Sequence, residues 1–132
     1  MATIFSKIVT GEIPCHKIAE TNEYLAFLDV RPLAAGHTLI IPKRETDYIF
    51  ELEDENYAGL WLFAKIVAGA VKQAIPCLKV GVAVVGLEVP HAHIHLVPLQ
   101  NIGDLNFTNQ RKEFSAEEYK AIAADIRQYL NS

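Results

Sequence analysis

The stretch Val89-Pro90-His91-Ala92-His93-Ile94-His95-Leu96-Val97-Pro98 places three of the chain's five histidines at every second position. Alternate side chains of an extended strand share one face. Read as a strand, the stretch sets His91, His93 and His95 in a row on one side. Ala92, Ile94 and Leu96 fall on the other side, where they can enter a core. One histidine in an apolar strand is most simply a hydrogen-bonded structural residue. Three in register need partners for several ring nitrogens at once, so function is sought here.

Working outward, Val80 to Val85 is apolar and β-branched and is expected to be a buried strand, joined to the histidine strand through Gly86-Leu87-Glu88. Upstream, Asp54 to Ala74 carries Leu60, Phe63, Val67 and Val71 at spacings of three and four, with Ile66 and Ala70 widening the stripe. That pattern predicts one long helix, which Pro76 ends. His37-Thr-Leu-Ile-Ile-Pro42 reads as a central strand. Cys15 to Ala19 and Tyr24 to Asp29 read as two more strands, and Ile4 to Val9 as a short helix stopped by Gly11 and Pro14. Gln100 to Glu113 is polar and reads as loop. Ser115-Ala-Glu-Glu118 resembles a capping box that starts a terminal helix with Tyr119, Ile122, Ile126 and Leu130. Short spacings between strands favour antiparallel pairing, so the expected fold is α+β, with a long helix packed on an antiparallel sheet.

The 132 residues suit a single domain, 1–132, with its own core. Hydrophobic residues make up 51 % and charged residues 21 %, which marks a globular and not a disordered chain. A formal net charge of −4 argues against a protein that grips nucleic acid. Cys15 and Cys77 form no C-x-x-C pair. No signal segment or membrane-spanning run is recognisable, so a cytoplasmic protein without a membrane partner is expected.

Two chemistries suit a row of imidazoles. Histidines two apart on a strand can share one zinc ion, and three make a catalytic ligand set. Alternatively, a neutral imidazole attacks phosphorus while its neighbours donate hydrogen bonds to phosphate oxygens. In that case an N–H bonded to a carbonyl fixes which nitrogen is free to attack.

His91-Ala-His93-Ile-His95-Leu-Val resembles the signature of the histidine triad family, in which histidines alternate with apolar residues. Thr3-Ile-Phe-Ser-Lys-Ile8, Gly11-Glu-Ile-Pro14, Ala26-Phe-Leu-Asp-Val30 and Gly36-His-Thr-Leu-Ile-Ile-Pro-Lys43 resemble its Hint-like branch. The resemblance implies a five-stranded antiparallel sheet with a long helix and a C-terminal helix. It implies a homodimer that hydrolyses nucleoside 5'-phosphoramidates or related purine nucleotide conjugates without cofactor or metal. His95, where a transferase branch carries glutamine, favours hydrolysis. By position, His93 is the expected nucleophile. His95 is expected to bind the phosphate, His91 to orient the triad, and His37 to stand as a fourth histidine near the site. Asp29 matches the acidic residue that bonds the ribose hydroxyls, as a carboxylate can. Taken alone, Asp29 is equally a turn residue before Arg31-Pro32. Phe5, Ile8, Phe27, Leu28 and Val30 match the positions that sandwich the base, and Glu88 and Val89 lie in the phosphate-facing segment. Relatives often carry Gly-Gln-Ser/Thr-Val there, against Gly86-Leu87-Glu88-Val89 in this chain. Thr3 and Ser6 stand where some relatives bind zinc through C-x-x-C, so no structural zinc is expected.

Overall fold

Thr-Leu-Ile-Ile-Pro at positions 38–42 forms the middle strand of a five-stranded antiparallel sheet in the computed structural model, which describes residues 2–130. In chain order the elements are α1 (Ile4–Thr10), β1 (Lys17–Glu20), β2 (Tyr24–Leu28), β3 (Thr38–Pro42), α2 (Asp54–Ala74), β4 (Lys79–Ala83), β5 (Ile94–Leu99) and α3 (Ala116–Gln128). The strand order is β1-β2-β3-β5-β4. The architecture is the expected α+β sandwich.

Strand alternation gives the sheet two different faces. Ala26, Leu28, Ile40, Ala92, Ile94 and Leu96 point to one face, which α2 and α3 cover. There Leu60, Phe63, Ala64, Val67, Ala70 and Val71 form the buried side of α2. Ile66 does not widen that side: it is 64 % exposed. It precedes Val67 by one residue, about 100° round the helix, which turns it out of the contact. α2 stops where the sequence indicates. Ile75, before Pro76, has φ −111° and ψ 118°, because a following proline disfavours the helical region. The capping box at Ser115 forms as read, with Ser115 Oγ accepting from Glu118 N–H and Glu118 reaching back to Ser115 N–H.

The opposite face holds a smaller cluster of Phe5, Leu25, Phe27, Leu39 and Ile41 under α1. α1 is seven residues long and is held at both ends. Thr3 caps its N-terminus, and Gly11, at φ 86°, supplies the left-handed C-cap that only glycine adopts without strain.

Three strands differ from expectation. β1 begins at Lys17, two residues after Cys15. β4 ends at Ala83 and is not buried. It is the sheet edge, paired only with β5, and Val82, Val84 and Val85 are exposed. The regular part of β5 begins at Ile94, after His91 and His93. Continuing the β3–β5 register would bring Pro42 opposite Ala92, and proline has no N–H for the ladder. Ala92 N–H instead donates to Thr46 C=O at 2.6 Å. The side chains still alternate: Ala92 enters the rear core with Ile94, while the His91 and His93 rings pack against Phe5 in front.

Candidate active site

Short α1 covers only part of its face and leaves a cavity of about 370 Å3. Phe5, Ile8, Phe27, Leu28, Asp29, Val30, Glu88, Val89, His93 and His95 all border it. Leu28 packs its side chain into the rear core, away from the other apolar residues of this group. His91 and His37 lie behind the wall, both fully buried.

The hydrogen bonds of these four histidines assign a tautomer to each, since a neutral imidazole has one N–H and one lone pair. His93 Nδ1 lies 2.7 Å from the His91 carbonyl oxygen, which can only accept, so Nδ1 carries the proton. The lone pair of His93 is therefore at Nε2. His91 Nε2–H donates to the Pro42 carbonyl at 2.8 Å, so its Nδ1 accepts from the Thr3 hydroxyl at 2.9 Å. Leu33 N–H donates to His37 Nδ1 at 2.9 Å, which places the His37 proton on Nε2. That proton is donated to His95 Nδ1, 3.0 Å away. His95 is left with Nε2–H as its free donor.

Burial keeps His37, His91 and His95 neutral. It pushes His37 down to about 4, only partly offset by Asp29, whose Oδ2 is 3.5 Å from Nε2. His95 is pushed down to about 3, first by burial and then by the repulsion a second proton would meet from the neighbouring His93, His37 and Arg111. Burial also lowers His91, against the bond to Pro42 and the charge of Glu45. The arrangement thus offers one nucleophilic lone pair and one neutral N–H donor on adjacent rings, whose centroids are 4.9 Å apart.

Asp29 takes its turn reading and also faces the cavity. Oδ1 accepts from Arg31 N–H at 2.8 Å in a turn, while the carboxylate borders the cavity. Its turn bond leaves lone pairs free for other donors.

The histidines do not converge on a metal in the way the alternation allows. Both ring nitrogens of His91 are engaged with protein groups. Among the described residues the group with converging ligand atoms is Asp29, His37 and His95. It fits a cation poorly, because Leu33 N–H occupies the other nitrogen of His37. Ligation through Nε2 would require removing the proton that His37 shares with His95. At the position of the N-terminal cysteine pair of some relatives, the Thr3 and Ser6 hydroxyls serve as hydrogen-bonding groups, to His91 and to Glu45 respectively.

Sequence reasoning passed over Leu39, Arg31, Phe107 and Arg111, which also border the cavity. The Phe107 ring packs edge-on to His95, with centroids 4.7 Å apart, and the Arg111 guanidinium sits 5.6 Å from the Phe107 ring centre. The available signal was an aromatic residue and an arginine inside an otherwise polar loop.

The HIT domain family model matches residues 10–102 of the chain. The adenosine 5'-monophosphoramidase hnt1 of Schizosaccharomyces pombe is 38 % identical over 128 residues, covering 96 % of each chain. The adenosine 5'-monophosphoramidase HNT1 of Saccharomyces cerevisiae is 40 % identical over 98 residues, which span 74 % of this chain and 62 % of the yeast one. In structure, the chain is similar to a zinc-bound histidine triad family protein from Mycobacterium smegmatis, with a TM-score of 0.85 and 28 % identity over 99 % of this chain and 94 % of that one. With the alternating histidines, the sheet order and these likenesses in agreement, the chain belongs to the HIT domain family.

Proposed function

We propose that the protein is a HIT-family hydrolase that cleaves nucleoside 5'-phosphoramidates or related nucleotidyl conjugates, through a nucleotidyl-His93 intermediate and without a metal. The observation that carries this reading is the bond from His93 Nδ1–H to the His91 carbonyl, which leaves the Nε2 lone pair on a residue bordering the cavity, beside the His95 donor. The two phosphoramidase relatives support the substrate class.

The steps follow from the tautomers. The purine packs among Phe5, Ile8, Phe27, Val30 and Val89, and Asp29 accepts from the ribose hydroxyls. Glu88 stands at the phosphate-side rim. His93 Nε2 attacks the phosphorus. A bond from Nε2 to phosphorus forms, the bond from phosphorus to the amine nitrogen breaks, and its electron pair leaves with the amine, which takes a proton from solvent. His95 Nε2–H donates to a phosphoryl oxygen as its negative charge grows, and His37 holds His95 in that tautomer. The imidazolium formed on His93 keeps its Nδ1–H on the His91 carbonyl. Water then attacks phosphorus, releases its proton to solvent and displaces Nε2. The products are the nucleoside monophosphate and free imidazole.

Acid-sensitive trapping of a nucleotidyl group on His93, located by mass analysis, tests the reading. Turnover of adenosine 5'-phosphoramidate that persists in chelator is expected. Activity lost to chelator and restored by zinc would establish the metal reading instead. Nucleotide affinity without turnover would establish a binding protein, a reading favoured by Leu87, which is 88 % exposed at the rim.

We further propose a homodimer that acts in the cytoplasm. The unpaired edge of β4 with exposed Val82, and Leu62 and Ile66 on the outer side of α2, support the second apolar contact it needs. Sedimentation at micromolar concentration reads the oligomeric state.

A further inference from the structure

The cavity wall beyond His95 carries positive charge that the steps above do not use. His93, His95, Phe107 and Arg111 follow one another, with ring centroids 4.9 and 4.7 Å apart and the guanidinium 5.6 Å from the last ring. Arg111 is held by two carbonyls: Nη1 donates to Arg31 C=O at 2.5 Å and Nη2 to Phe107 C=O at 3.3 Å. Among the described residues no carboxylate forms an ion pair with it. A guanidinium has five N–H donors, so the two carbonyls leave donors for a further acceptor. A second hollow opens along the same wall. It shares Val30, Arg31, Phe107 and Arg111 with the first and adds Lys112 and Glu113, so three cations face one carboxylate. Lys112 N–H donates to Pro32 C=O, which ties this loop to the segment after β2.

Displacement at phosphorus proceeds in line, with the leaving group departing on the side opposite the attacking nitrogen. With His93 as nucleophile the leaving group departs away from His93 within the cavity, whose wall beyond His95 is formed by Phe107 and Arg111.

We propose that Arg111, supported by Arg31 and Lys112, selects nucleotidyl conjugates whose leaving group carries a carboxylate or phosphate. The proposal rests on the hydrolase reading and names the leaving-group class for the same site. The cleavage itself is the same phosphorus–nitrogen displacement by His93; only the departing amine differs, and it leaves with its anionic group unchanged.

The test uses three adenosine 5'-phosphoramidates with the same phosphorus–nitrogen bond and a two-carbon amine: ethanolamine, β-alanine and O-phosphoethanolamine. These end in a hydroxyl, a carboxylate and a phosphate. The wild-type kcat/KM is expected to be about tenfold or more higher for at least one anionic compound than for the ethanolamine compound, the size of a charge-assisted contact. Preference for both anions assigns the subsite to charge, and preference for the phosphate alone assigns it to phosphate. Arg111→Gln is expected to erase the preference with less than about threefold loss on the ethanolamine compound. Arg111→Lys is expected to keep most of it, which separates charge from loop packing. Equal losses on all three compounds in Arg111→Gln, or no preference in the wild type, would overturn the proposal. Dissociation constants of the three compounds on His93→Ala read the same preference without turnover. A protein that binds the anions more tightly yet hydrolyses none keeps the subsite and refutes the hydrolase reading, while equal constants refute the subsite.

Discussion

The two faces of the sheet are built from the same strands and put to opposite uses. The rear face meets 21-residue α2 and 13-residue α3 over a cluster of apolar side chains, joined by the Thr38 hydroxyl, which donates to Gly36 C=O, and the tip of Tyr119, which donates to Asp29 C=O. The front face meets a helix of seven residues. It buries Phe5, Leu25, Phe27, Leu39 and Ile41, and also Thr3, His37, His91, His93 and His95. A short cover leaves room for a ligand, and buried imidazoles need partners, so this face spends its polar groups on one another. Stability is concentrated behind the sheet and chemistry in front, with each strand supplying both by alternation.

The sharpest test of that division is His93→Ala. Removing the nucleophile is expected to lower kcat on adenosine 5'-phosphoramidate by about 10^4-fold or more, with the melting temperature almost unchanged. Retention of more than a tenth of the wild-type rate would move the chemistry off His93. Leu60→Ala is the reverse experiment. Leu60 is fully buried on α2 against the rear face. Its truncation is expected to cost about 2–5 kcal/mol in urea unfolding while kcat, measured on folded protein, stays within about twofold. A large fall in kcat would show that the faces are not separable.

Acid should attack the front face selectively. Burial lowers His37 to about 4, so below the ordinary histidine range the unfolded chain binds a proton that the folded chain refuses. Stability therefore rises with pH across this window and is lost as pH falls from about 6.5 towards 4. For His37 alone the loss between pH 7 and pH 5 is about 2 kcal/mol. His95, lowered to about 3 by the same burial, adds in the same direction. Urea midpoints at the two pH values should show this, and His37→Gln should shrink the difference. A pH-independent midpoint would mean that the rings gain protons without leaving the fold.

This division also explains which features were legible in the sequence. α2 was readable to its last residue because its cover of the rear face needs a 3.6-residue stripe over many turns and Pro76 stops it. The alternation of His91, His93 and His95 showed that the segment entering β5 turns its imidazoles to one face. The edge position of β4 was not readable, because an apolar β-branched run looks the same at an edge and at a centre. Nor was the early end of the ladder, which depends on Pro42 arriving opposite Ala92 from another strand. The front face relies on partners distant in the chain: Arg111 bonds Arg31 C=O across 80 positions and Thr3 bonds His91 across 88. Local periodicity carries no record of such pairings. Resemblance supplied His37 and Asp29, whose own spacing identifies neither.

Thr3 is where the front face joins fold to chemistry, and its substitution is the finest of these tests. Its hydroxyl accepts from Ser6 N–H at 3.0 Å, capping α1, and donates to His91 Nδ1 at 2.9 Å. Its backbone N–H donates to Glu45 Oε1 at 2.9 Å, and Ser6 Oγ donates to the same oxygen at 2.5 Å. One residue thus fastens the helix that roofs the cavity and the ring whose carbonyl orients His93. Thr3→Val keeps the shape and removes both hydroxyl bonds, leaving a buried imidazole acceptor unpaired. The expected cost is about 1–2 kcal/mol of stability. A fall in kcat of a few-fold should accompany it, since the His91 carbonyl then holds His93 less firmly. Thr3→Ser restores both bonds and should recover both quantities. If Thr3→Val melts early but turns over at the wild-type rate, the cap is structural and His91 is positioned by Pro42 alone. If rate and stability fall and recover together, the cover and the chemistry of the front face share one hydroxyl, and the separation between faces does not extend to a separation within this one.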